Sequence, residues 1–208
     1  MAIKAILFNA EMVRAILEGR KSCTRKIVKP QQLIGMLPGK CKNGAPEKFL
    51  KEKKLMFKPY CDMTDIELIN TAYKAPYQLG DILYVRETWK KALNGYYYYE
   101  DWQRNDIADV TKWKPSTRMP KEAARIWLKV TDVRVERLQE VSAESALAEG
   151  ANKYIHTNGG LDENMTITSF IGIWNSTIKK SDIDRYGWDA NPYVWIIEFE
   201  RCEKPEGV

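Results

Sequence analysis

Apolar residues recur along the chain with two periods, and the switches between them mark the elements. Residues 2–8 (Ala-Ile-Lys-Ala-Ile-Leu-Phe) predict a strand. Asn9 suits a helix N-cap, and Met12, Val13, Ile16 and Leu17 share one helical face that stops at Gly19. The polar run Arg20–Lys26 then feeds a short strand at Ile27-Val28. Gly80-Asp81 reads as a turn ahead of a strand over Ile82–Glu87. Over residues 125–138 alternation is strong, with Ile126, Leu128 and Val130 on one face. The parity flips at Thr131-Asp132 before Val133 and Val135 resume it, which predicts two strands or one strand with a bulge. Ser142 caps a short helix through Ala146 and Leu147, ended by Gly150. Ile167, Phe170, Ile171 and Trp174 predict an amphipathic helix over 166–178, and Tyr193–Phe199 forms a final strand.

Two stretches carry no clean period and read as insertions. One covers about 30–79, broken by prolines and glycines, with a short helix near 47–55. The other covers about 90–124 and is rich in tyrosine and tryptophan. Short strands with few helices predict a single α+β domain over residues 1–208, a small mixed β-barrel with flanking short helices.

Composition adds three points. Hydrophobic residues make up 44%, enough for a core, and no apolar run nears the roughly 20 residues of a membrane span. Nothing near Met1 reads as a secretory signal, so a cytoplasmic protein with no membrane partner is expected. The four cysteines form no CxxC pair and there is one histidine, His156, so no metal and no cofactor is expected. Net charge is only +5, but residues 14–58 carry 13 Lys/Arg against 3 Asp/Glu. That asymmetry suits either a polyanionic partner or a solvated, lysine-rich insertion.

Several segments can carry chemistry. Gly19-Arg20-Lys21-Ser22-Cys23-Thr24-Arg25 crowds three cations and two hydroxyls onto one turn. Arg20 and Arg25 can grip a phosphate with planar forks. Lys21, pressed between like charges, would give up its proton more readily and so serve as a base. Moving it from about 10.4 to near 7 takes more than about 4 kcal/mol, so burial must contribute. Arg86, Glu87 and Trp89 sit together at a strand end, where they either line a base-binding cleft or form an ion pair beside a packed indole. Trp113 and Ser116, in a segment stiffened by Pro115 and Pro120, can wall a ligand. Glu149 ends a helix, where a carboxylate is poorly placed against the macrodipole unless a cation such as Lys21 compensates.

These segments resemble the ASCH domain, a branch of the PUA-like fold. The likeness rests on Gly19–Arg25, Gly80-Asp81-Ile82-Leu83, Ala146-Leu147-Ala148-Glu149-Gly150 and Val194–Phe199. Val85-Arg86-Glu87-Thr88-Trp89, Trp113–Ser116 and Gly187–Pro192 add a resemblance to the long ASCH proteins of phages and prophages. The resemblance implies a PUA-like mixed β-barrel. It extends in part to a small bacterial ASCH enzyme, the N4-acetylcytidine amidohydrolase. Carried over by position, that enzyme's catalytic lysine, threonine and glutamate fall on Lys21, Thr24 and Glu149. The implied activity is metal-free hydrolysis of N4-acetylcytidine or a related acylated nucleoside. The alternative is a non-catalytic module that binds RNA or a modified nucleobase, with Trp89, Trp102 and Trp113 exposed to stack on bases. A further expectation is a host protein partner held through the insertions, for which the four tyrosines Tyr96–Tyr99 would suit.

Overall fold

The computed structural model describes residues 1–29, 64–103 and 112–207. The helix expected near 47–55 and most of the basic segment lie outside them. Among the described residues there are seven strands: β1 (Ile3–Leu7), β2 (Cys23–Ile27), β3 (Ile82–Arg86), β4 (Trp89–Ala92), β5 (Gly95–Tyr98), β6 (Trp127–Arg137) and β7 (Tyr193–Cys202). The α-helices are α1 (Ala10–Leu17), α2 (Asp65–Ala72), α3 (Tyr99–Gln103), α4 (Ala143–Ala148), α5 (Glu163–Thr177) and α6 (Ile183–Tyr186). Local chemistry sets the helix starts. Asn9, Thr64, Ser142 and Asp162 each accept a hydrogen bond from a backbone N–H of the helix that follows. The cap at Asp162 starts α5 at Glu163, ahead of the apolar face that marks it in sequence.

Among the described residues five strands form a mixed sheet in the order β1-β3-β6-β7-β2, while β4 pairs with β5 and meets Lys114 through an isolated bridge at Trp89. The β1–β3 pair is parallel and the rest are antiparallel. The predicted parity flip in β6 is a bulge, with the register against β7 shifting between Val130 and Asp132. Leu128, Val130 and Val135 therefore all reach one core. That core also takes Ile6, Phe8, Leu83, Val85, Trp195, Ile197 and Phe199, so it draws on both halves of the sheet. Phe8 follows β1 and Phe199 lies on β7, three ladder steps away, or about 14 Å on a flat sheet. Their ring centroids are 6.2 Å apart, so the sheet curls around its core. The other face of β7, Val194 and Ile196, packs with Phe170 and Trp174 of α5 and with Ala146 of α4. A third cluster joins Ile82, Trp89, Met119 and Trp127.

The curl stops short of closure. Among the described residues β1 and β2 are the two edges, with no ladder between them. Hydrogen bonds from Val28 N to Tyr193 O and from Phe199 N to Ser22 O fix which residues of β2 face β7. The backbone groups of Cys23, Arg25 and Ile27 consequently point away, toward the open seam. On β1, Phe8 N donates to Arg86 O and Ala2 O accepts from Ile82 N, which turns the backbone of Leu7 outward by the same logic. Among the described residues no helix is long and apolar enough to cross a membrane.

Asp81 ties the start of β1 to the turn before β3. Its carboxylate accepts from Ala2 N at 3.0 Å, Lys4 Nζ at 2.6 Å and Gln78 N at 2.9 Å. Burial pushes its pKa up, but these bonds, led by Lys4, more than offset that, and the net direction is down. A depressed carboxyl stabilises the fold above its unfolded value, about 3.9, and loses that effect as pH falls through the folded value. Asp81→Asn should therefore lower the urea midpoint at pH 7, and the gap from wild type should narrow steadily below about pH 4. A gap that is constant with pH would refute the assignment.

Candidate functional site

The turn after α1, strand β2 and the end of α4 converge on one carboxylate. Lys21 Nζ donates to Glu149 Oε2, to Glu149 O and to Cys23 O, each at 2.8 Å. Its side chain is 0% exposed, and all three ammonium N–H bonds are engaged. Arg25 Nη1 donates to Glu149 Oε1 at 3.3 Å, and Nη2 donates to Ser145 Oγ at 2.7 Å. The guanidinium lies 5.3 Å from the centre of the Phe170 ring. Arg25 Nε is buried and has no hydrogen-bond partner among the described residues. Gly150 makes the approach possible: its φ of +96° lies in the left-handed region, and a Cβ there would stand 3.2 Å from Ala15 Cβ.

This arrangement corrects the picture of Lys21 pressed between like charges. Arg20 turns outward to Glu18, at 2.7 Å, while the two Glu149 oxygens take Lys21 and Arg25 separately. The helix-end carboxylate is compensated by Lys21, as its position required, and also by Arg25.

A cavity of about 330 Å³ opens at the seam between the sheet edges. Leu7, Phe8 and Asn9 line one side, Thr24–Ile27 and Glu149 another, and Phe170 and Trp174 of α5 a third. Thr24 reaches it, and its hydroxyl has no hydrogen-bond partner among the described residues. Lys21 stands behind Glu149 and is not part of the wall. Lys26 is part of it: burial, aided by the charge of Lys21 and opposed by Glu149, draws its amine below the ordinary lysine range. Burial, then the charge of Glu149, pushes the Cys23 thiol up to about 12, which removes it as a nucleophile at neutral pH. A neighbouring cavity of about 380 Å³ shares Asn9, Met12, Glu149 and Ile173 and reaches Arg20. Glu149 therefore faces both spaces.

The other sequence candidates gather elsewhere. Glu87 is buried and pairs with Arg125, whose Nε and Nη2 each donate at 2.9 Å. Arg86 Nε donates to Met119 O at 2.8 Å. Trp89 is not exposed as expected: it is 5% exposed, packed with Met119 and Trp127. The half-buried Trp113 meets Trp102 and Tyr99 edge-on, with centroids 6.2 and 5.5 Å apart. Ser116 opens a 3-10 turn, Ser116–Arg118. None of these residues lines the Thr24 cavity. The tyrosines serve packing as well: Tyr96 lies on Trp89, and the Tyr98 hydroxyl donates to Ala123 O. Sequence reading passed over Ser145 and Lys26. Strand alternation from Thr24 was the available signal for Lys26.

No family model matches this chain, and no curated protein matches it. Among solved structures it is similar to the high-resolution crystal structure of the ASCH domain from Lactobacillus crispatus JV V101. The two share 11% sequence identity with a TM-score of 0.41, over 96% of this chain and 79% of that chain.

Proposed function

We propose that the seam cavity binds the base of an N4-acetylated cytosine nucleoside, or a close acylated relative, and hydrolyses its exocyclic amide. One observation carries this reading: an unpartnered Thr24 hydroxyl shares a cavity with a carboxylate held by two buried cations. Thr24 Oγ1 attacks the acetyl carbonyl carbon, the C–N4 bond breaks with a proton delivered to N4, and water then cleaves the acetyl-threonine to acetate. Glu149, fixed by Lys21 and Arg25, accepts a hydrogen bond from the exocyclic N–H. The backbone N–H of Arg25, one residue past the nucleophile and turned to the seam, donates to the developing oxyanion. No metal is required for this chemistry.

A second reading is binding of RNA or a modified base without turnover. The observation favouring it is the open backbone of Leu7, Arg25 and Ile27 on the two edges. Those groups match the hydrogen-bonding edge of a splayed base, and Phe170 and Trp174 offer apolar walls to its face.

Purified protein given N4-acetylcytidine should release cytidine and acetate at a rate nearly independent of salt. Thr24→Ala should lower kcat by at least about 10³-fold, and Glu149→Gln should lower it while the protein stays folded by circular dichroism. Absence of turnover from folded wild type would sink the hydrolase. In its place, single-stranded RNA binding whose log affinity falls linearly with log salt would establish the binding module.

A further inference from the structure

A threonine hydroxyl needs a group that takes its proton, and Lys21 is poorly placed to be that group. Its side chain has no exposed surface, and its three N–H bonds go to Cys23 O, Glu149 O and Glu149 Oε2. A side chain so fully engaged holds its acceptors in place, and it does not line the Thr24 cavity. Lys26 differs on each count. Alternate residues of a strand share a face, so Lys26 stands beside Thr24, about 6.6 Å along β2. Both residues line the same cavity, together with the apolar Leu7, Phe8 and Met12. Lys26 has no hydrogen-bond or ion-pair partner among the described residues. Burial and then the nearby Lys21 charge favour the neutral amine, and the opposing charge of Glu149 does not cancel them.

We propose that Lys26 takes the proton of the Thr24 hydroxyl and returns it to the departing nitrogen, and that Lys21 is a positioning residue for Glu149; this rests on the hydrolase reading. In the first half-reaction the Thr24 Oγ1–carbon bond forms as the proton passes to the neutral Lys26 Nζ. The carbon–N4 bond then breaks as the Lys26 ammonium protonates N4, releasing cytidine. In the second half, water adds to the acetyl ester and gives its proton to Lys26. Oγ1 leaves and takes that proton back, releasing acetic acid, which ionises to acetate in solvent.

Two measurements test this assignment, and the first needs no turnover. In protein labelled with 13C at lysine Cε, one resonance, absent from Lys26→Gln, should titrate well below the others. Titration of that resonance with the bulk lysines would overturn the proposal. The second is kcat against pH with N4-acetylcytidine. Wild type should lose activity on the acid side at the same midpoint. Lys26→Gln should lose about 10²- to 10⁴-fold in kcat with little change in KM, and Lys26→Arg should not restore the wild-type acid limb. Lys21→Arg should lower the rate but leave that limb where it is. An acid limb unchanged in Lys26→Gln, or displaced only by Lys21→Arg, would overturn the proposal and leave the hydrolase standing. No turnover by wild type at any pH would remove both.

Discussion

The structure turns on a buried carboxylate at the wrong end of a helix. Glu149 follows α4, where the helix dipole opposes negative charge. The fold resolves the conflict by bringing Lys21 from the turn after α1 and Arg25 from β2 to its two oxygens. Three segments far apart in sequence are thereby fixed to one another. Buried charges of this kind add little net stability, because desolvation cancels much of the attraction. Breaking such a set is another matter, costing about 3–5 kcal/mol when one member is lost and another is stranded. The network thus specifies geometry more than it stabilises. Its geometry sets one wall of the seam cavity, and with two cations to one carboxylate it leaves that wall with excess positive charge.

The seam is the second constraint. Among the described residues the sheet curls without closing and leaves two edges with open backbone groups, which proteins ordinarily cover or blunt. Here the ends of α1 and α5 flank the gap and leave a cavity in it. Edge backbone, an unpartnered hydroxyl and a fixed carboxylate then share one small space. The aromatic and ionic cluster around Trp89, Trp113 and Glu87 lies apart from it: Glu87 is held by Arg125, the rings pack on one another, and the buried Trp89 Nε1 has no partner among the described residues.

Much of this was legible in the sequence wherever the signal is local. The parity flip at Thr131-Asp132 announced the bulge in β6, and Asn9 and Ser142 announced two helix starts. The need of Glu149 for a cation pointed to Lys21, although the two are 128 positions apart. Where the answer depended on which distant side chain arrives first, the sequence was silent. Arg86 is one position from Glu87, yet Glu87 pairs with Arg125, 38 positions away. Arg25 looked like a phosphate ligand and is instead committed to Glu149 and Ser145. Trp89 looked available for stacking, but the hairpin of β4 and β5 folds it inward. Burial of a tryptophan at a strand end depends on what covers it, and no periodicity reports that.

Strand β7 belongs to two cores at once, alternate residues going to the curled sheet's interior and to the layer beneath α5. It also pairs with β6, whose partner residues lie some 56 to 75 positions earlier, and with β2, some 170 positions earlier. During synthesis, neither core is complete, and neither ladder of β7 can form, until residues 193–202 have left the ribosome. Until then β2 has no sheet partner and Glu149 has no fixed place to stand. The seam cavity and its carboxylate wall therefore take shape only once β7 is in place, not element by element as the chain emerges.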